Sequence, residues 1–247
     1  MKHTRIALIA SLLSAPQISM ADDSGMAGLD LPGELSGTLT LTTDYTFRGI
    51  TQSDENPAVQ GSVDWSNDLG KGFGVYLGTW ASNVDFNDGS ESSTEFDFYG
   101  GITYELEKWS FDVGVIHYTY PGASNNLNYN FTEGMAAIGY DFDVVSLQGS
   151  VNFTSENFGD TGDAQYYKLA ADAPLPYEFS LSAHIGHQSI EDNANFGVPD
   201  YADWSVGLGY TIENFDLSLQ YIDTDLDKTE CADGCSASLV FSVGRSF

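Results

Sequence analysis

ASLVFSVGRSF, residues 237–247, sets Leu239, Phe241 and Val243 on one face and Ser238, Ser242 and Ser246 on the other, and it ends on an aromatic residue. Side chains along a strand alternate with a period of two, so this stretch has one apolar and one polar face. With lipid on one side and a watery lumen on the other, alternation over about ten residues reads as a transmembrane β-strand. Phe247 falls on the lipid-facing phase, where a strand that closes a barrel would carry it.

The same pattern recurs upstream. Period-2 alternation predicts twelve strands, over 35–48, 58–67, 73–84, 94–105, 109–120, 131–142, 144–155, 164–174, 178–188, 201–212, 215–225 and 237–247. The third puts Phe73, Val75 and Leu77 opposite Tyr76, Gly78 and Trp80. The fourth sets Phe96, Phe98, Ile102 and Tyr104 against Glu95, Asp97 and Thr103, and the fifth sets Trp109, Phe111, Val113 and Val115 against Ser110, Asp112 and Gly114. The links sort by parity. NDLGKG, LEK, D, LPY and EN are short; GITQSDENP, VDFNDGSESS, PGASNNLNYN, ENFGDTGD, SIEDNANFGVPD and LDKTECADGCS are longer and mostly acidic. An up-and-down outer-membrane barrel, with short periplasmic turns and long external loops, requires that parity. A soluble sandwich gives no reason for it, and burying the polar faces in a dry core would be prohibitively costly. The fold expectation is therefore an all-β, transmembrane antiparallel up-and-down barrel of about twelve strands over 35–247, preceded by a short periplasmic segment, 22–34.

The start of the chain fits export. Lys2 and Arg5 precede an apolar run from Ile6 to Leu13, and small residues lead to a cleavage site expected after Ala21. That order reads as a signal peptide over 1–21. No later run approaches the roughly eighteen apolar residues of a spanning helix. Removing Lys2 and Arg5 from eight basic residues leaves six against 36 acidic ones. Nucleic acid is a poor partner for such a chain. The acidity fits either a cation-attracting pore or a saline habitat. Cys231 and Cys235, the two cysteines of the chain, fall in one loop, and in an oxidising compartment they are expected to form a disulfide. Tyr45, Phe47, Trp65, Trp109, Trp204, Tyr210 and Phe247 lie near strand ends and suit aromatic girdles at the two membrane interfaces.

On the inward phase the lumen is expected to carry Asp44, Asp64, Glu95, Asp97, Asp112, Glu133, Asp172, Asp203 and Asp216, with Arg48 and Lys168 as its basic residues. Carboxylates lining a narrow pore draw cations and repel anions. Against an open channel stands an internal network in which Arg48 and Lys168 are locked to carboxylates and fill the lumen. Twelve strands lie between the filled eight-stranded barrel and the aqueous sixteen-stranded one, so both are allowed. His184 is expected inward, with Ser182 and Ser189 on its own strand, but no orienting acid is specified, so hydrolysis is a minor reading. The acidic stretches NVDFNDGSESSTE (83–95) and YIDTDLDKTE (221–230) lack the full spacing of a calcium loop and read as solvated loops. No metal site, cofactor or catalytic residue is expected.

The stretches TTDYTFRGITQSDENPAVQGSVDW (42–65), GVYLGTWASNVDF (74–86), EFDFYGGITYE (95–105) and FDVGVIHYTYPG (111–122) resemble the TorF family of bacterial porins. LSAHIGHQ (181–188), YADWSVGLGY (201–210), LSLQYIDTDL (217–226) and FSVGRSF (241–247) continue the likeness over nearly all of the chain after the signal. The resemblance implies an outer-membrane barrel that passes small solutes; it supplies no solute and no functional residues. The expected function is a passive, cation-preferring porin of a Gram-negative outer membrane. Its expected partners are outer-membrane lipid and lipopolysaccharide, small hydrophilic solutes or cations, and the barrel-assembly machinery through Phe247. The alternative is a closed barrel whose acidic loops bind a partner or divalent cations at the cell surface. Arg48, in the FRG motif, reads either as a constriction residue or as an anchor of the first loop through Asp44 or Asp54, and the anchor is favoured.

Overall fold

Twelve long antiparallel strands form a ring, each paired with its neighbours in chain order, and the first closes on the last. The structure is a computed structural model that describes residues 32–87, 89 and 92–247. The expected signal peptide (1–21), its cleavage after Ala21 and most of the segment 22–34 lie outside the described residues. The barrel strands are β1 (Glu34–Thr42), β4 (Ala58–Gly70), β5 (Phe73–Asn83), β6 (Thr94–Leu106), β7 (Trp109–Thr119), β8 (Phe131–Asp141), β9 (Ser146–Thr154), β10 (Ala164–Pro174), β11 (Phe179–Ile190), β12 (Tyr201–Ile212), β13 (Phe215–Thr224) and β14 (Ser238–Ser246). A two-stranded hairpin, β2 (Thr46–Phe47) and β3 (Ile50–Thr51), stands apart from the ring. Closure pairs Thr38 with Ser246 and Thr42 with Ser242. Phe247 extends the seam, exchanging N–H···O bonds with Gly37 at 3.0 and 2.8 Å. Such a ring leaves no open strand edge, which hydrocarbon requires because it offers backbone groups no partner.

The alternation expected from sequence is what the ring displays. Outward residues are apolar and open to the surroundings, including Leu239 at 68 %, Leu77 at 58 % and Val113 at 64 % exposure. Inward neighbours such as Glu95, Asp97, Glu133 and Asp203 are buried. This inversion of a soluble protein's sidedness is the mark of a barrel that faces lipid. The short links gather at one end of the ring, the turn end, and the long ones at the other, the loop end. Cys231 and Cys235 form the expected disulfide in the loop between β13 and β14.

Two expectations are corrected. The first strand, read over 35–48, stops at Thr42. Arg48 (φ 50°) and Gly49 (φ 81°) are both left-handed, which makes a two-residue reverse turn and pairs Phe47 with Ile50. Alternation persists through TDYTFRG, so period alone could not show where the chain leaves the wall. Tyr45 and Phe47 accordingly do not belong to an interfacial girdle. Tyr45 is buried against Trp80 of β5, ring centroids 5.3 Å apart, and Phe47 meets Tyr118 of β7 at 5.8 Å.

A charge on the outward face tests this sidedness. Val113→Arg, near the middle of β7, is expected to cost about 2–4 kcal/mol in vesicles, as for a cation at the membrane midplane. Denaturant unfolding in lipid reads the loss; an unchanged midpoint would contradict a lipid-facing Val113.

Candidate functional site

The loop after β1 does not stay outside. Its β2–β3 hairpin turns into the lumen at the loop end and brings Arg48 against the far wall. The guanidinium donates through Nη2 to both oxygens of Glu133 on β8, at 2.8 and 2.7 Å. Its Nη1 donates to Gln188 Oε1 on β11 at 2.7 Å. Phe47 and Tyr166 hold it on their ring faces, at 4.6 and 4.4 Å from the centroids. Glu133 is 1 % exposed and takes further hydrogen bonds from Tyr118 (3.2 Å) and Asn152 (3.1 Å). A buried charge is tolerated only when paired and hydrogen-bonded, and this pair meets both conditions. Gly49 lets the hairpin tip touch the wall, since a Cβ there would lie 2.5 Å from Thr224 Cγ2 and 2.9 Å from Asp203 Cβ.

Other contacts fix the rest of the loop. Ser53 Oγ receives the Tyr45 N–H at 2.9 Å and donates to Asp44 Oδ1 at 2.9 Å; Thr51 Oγ1 donates to the same oxygen at 2.6 Å. Burial pushes the Asp44 carboxyl above the ordinary carboxylate range, against the lowering effect of those two hydroxyls. The Thr51 N–H donates to Gly234 O, at 2.9 Å, inside the disulfide loop. An apolar cluster of Tyr45, Trp80, Ile116, Tyr118, Tyr120 and Phe131 completes a plug at the loop end.

Of the residues expected in the lumen, Arg48, Glu133, Asp203, Glu95 and Asp97 gather around this plug, the last two on the β6 wall. Asp203 accepts from Tyr166 at 2.9 Å and lies 2.6 Å from His184 Nε2. Lys168 on β10 lies within the fields of Arg48, Asp203 and Asp172. Asp64, Asp112, Asp172 and Asp216 line the half toward the turn end. There Tyr99 donates to Asp64, Tyr76 to Asp112 at 3.1 Å, and Thr211 to Asp216 at 2.7 Å. Asp44 sits in the plug rather than on the wall. The anchor reading of Arg48 takes different partners from those expected: Glu133 and Gln188, not Asp44 or Asp54.

Sequence reasoning missed Gln188, Asn152, Tyr118 and Tyr166. Their inward phase was legible, but the depth of the hairpin that joins them was not. The serine that meets His184 is neither of the two on its own strand. Ser189 points to Asp200 (2.9 Å), whereas Ser205, directly across on β12, bonds His184 Nδ1 at 2.8 Å. Ser205, His184 and Asp203 thus form a chain of hydrogen bonds. The neighbouring backbone N–H groups of β12 lie within the β11–β12–β13 ladders and are engaged there, rather than free to serve as oxyanion donors.

The fold agrees with known outer-membrane barrels. An outer membrane channel from Pseudomonas putida F1 is similar over 92 % of this chain and 100 % of its own, with TM-score 0.56 and 13 % identity. The KdgM porin is similar over 86 % of this chain and 98 % of its own (TM-score 0.55, 10 % identity). The Salmonella typhi outer membrane phospholipase (OMPLA) dimer with bound calcium is similar over 87 % and 91 % (TM-score 0.51, 15 % identity). At these identities the likeness shows the fold alone. No curated protein sequence matches the chain. A family model described as "Bacterial protein of unknown function (Gcw_chp)" matches residues 26–247.

Removing one member of the buried pair should expose its cost. Glu133→Ala is expected to lose about 3–5 kcal/mol, because Arg48 is left buried and unpaired. The double replacement Arg48→Met with Glu133→Leu should recover most of it. Denaturant unfolding of the refolded barrels compares the three; an unaffected single variant would contradict a buried pair.

Proposed function

We propose, from the premise that the chain belongs to the bacterial Gcw_chp family, that it is an outer-membrane porin passing small hydrophilic solutes by diffusion, with a preference for cations. The observation that carries this reading is the imbalance of charge inside the ring. Asp64, Asp112, Asp172 and Asp216 line the turn-end half against Lys168, which acts on Asp172, while Arg48 is spent on Glu133. A confined carboxylate lining raises the local concentration of cations and excludes anions. Passage of this kind needs neither cofactor nor catalysis. The barrel would sit in the outer membrane after removal of the signal peptide, with Phe247 offered to the assembly machinery and the loops toward lipopolysaccharide. The TorF resemblance supports the same reading.

The hairpin plug narrows the loop end, so conductance should be small in the resting barrel. The plug also favours the second reading, a closed barrel that binds divalent cations or a partner through its surface loops.

Single-channel recording in planar bilayers, with a KCl gradient, decides between them. The refolded Asp22–Phe247 barrel is expected to conduct with a cation-selective reversal potential. Asp64→Asn with Asp112→Asn should move that potential toward zero, and replacing residues 46–51 by a Gly/Ser link should raise conductance. A folded barrel that stays silent even without the hairpin would overturn the porin reading in favour of surface binding.

A further inference from the structure

The β6 wall of the lumen holds two carboxylates that the Arg48 network does not serve. Glu95 and Asp97 are two residues apart on one strand and both face inward. Asp97 is 0 % exposed, and neither of its carboxylate oxygens has a hydrogen-bond partner; Glu95 is 1 % exposed and its Oε2 is likewise unpartnered. The charges that act most on Asp97 are those of Glu95 and Glu133, both negative. The cation nearest in function, Arg48, is committed to Glu133 at 2.7 Å. An isolated buried carboxylate is costly, and two side by side are costlier still. Protons or a bound cation must balance them.

The surroundings supply further oxygen donors. The phenols of Tyr45 and Tyr120 flank Glu95. Ser82, also buried, is the cross-strand neighbour of Glu95 on β5. Trp80 and Tyr118 are the cross-strand neighbours of Asp97 and close the site on either side. All these donors are oxygens, without thiol or imidazole. A donor set of carboxylates and neutral oxygens selects a hard cation, and calcium tolerates the irregular geometry that a strand and a plug provide. Residues i and i+2 of a strand stand about 6.7 Å apart. Carboxylates at that spacing can lean together onto one ion at the usual 2.3–2.6 Å.

We infer that Glu95 and Asp97, capped by the plug tyrosines, form a buried binding site for a calcium-like divalent cation inside the barrel. Among the described residues no group of three or more His, Cys, Asp or Glu side chains is placed to hold a metal ion. The site is therefore a two-carboxylate one, and weak. Half-saturation on the order of 0.1–1 mM is expected, the range of extracellular calcium modules. The ion would tie the β6 wall to Tyr45, on the segment that leads into the hairpin. The inference shares the acidic lumen with the porin reading but does not need conduction, so either can fail alone.

Terbium luminescence tests it, because Trp80 beside Asp97 can sensitise a bound lanthanide. The refolded barrel in detergent should show sensitised terbium emission that calcium displaces at millimolar concentration. Asp97→Asn and Glu95→Gln should each weaken calcium competition roughly tenfold or more, the scale on which damaged metal sites lose affinity. Asp227→Asn, in an external loop, should leave it unchanged. Emission that persists in both lumen variants would place the ion on the loops and overturn the inference, as would emission that calcium does not displace. Should a variant fail to fold, calcium must still raise the thermal unfolding temperature of the unaltered barrel; no shift together with no displaceable emission overturns the site.

Discussion

The fork between Arg48 and Glu133 organises the interior of this barrel. A ring of twelve strands closed by β1 and β14 would stand without it, since the ladders satisfy the backbone and lipid covers the outward face. What lies within the ring depends on it. The guanidinium reaches from the hairpin to β8 and β11 and lies between Phe47 and Tyr166. Its position sets where Tyr45, Phe47 and Gly49 sit. A buried pair of this kind contributes modest net stability compared with an apolar replacement, yet breaking it is expensive. Such an interaction fixes one arrangement of the loop against its alternatives.

Two kinds of interior follow from that arrangement. At the loop end, aromatic side chains from the hairpin and from β5, β7 and β8 make a core like that of a soluble protein, with Tyr45 on Trp80 and Tyr118 stacked on Phe131 at 4.4 Å. Toward the turn end the lining is hydroxyl, phenol and carboxylate, with Tyr76 on Asp112 and Ser62 on Asp64. The first interior is packed aromatic surface and the second is polar. Glu95 and Asp97 lie in the first, beside Trp80 and Tyr118, which is why their charge is conspicuous there.

Much of the fold was legible because lipid imposes a strict alternation on each strand. Leu239, Phe241 and Val243 against Ser238, Ser242 and Ser246 fixed the phase of β14, and Glu95 and Asp97 against Phe96 and Phe98 fixed that of β6. Loop parity gave the two ends. Inward carboxylates were legible for the same reason. The plug was not, because TDYTFRG alternates as a wall strand would and only the left-handed pair Arg48–Gly49 folds it back. The partners of Arg48 were illegible too: Glu133 lies 85 residues away and Gln188 lies 140 away, brought together by ring closure rather than by any local spacing. Ser205 escaped notice because cross-strand pairing with His184 depends on register, which alternation leaves open.

The claim on which this account rests is that the hairpin occupies the lumen of the folded barrel, and amide hydrogen exchange of the hairpin measures it most directly. The N–H groups of Thr51 and Gln52, bonded to Gly234 O and Tyr45 O, should exchange as slowly as the loop-end amides of β4 and β12. Exchange as fast as that of Ala194, exposed in the loop after β11, would show the hairpin outside the lumen and contradict the account.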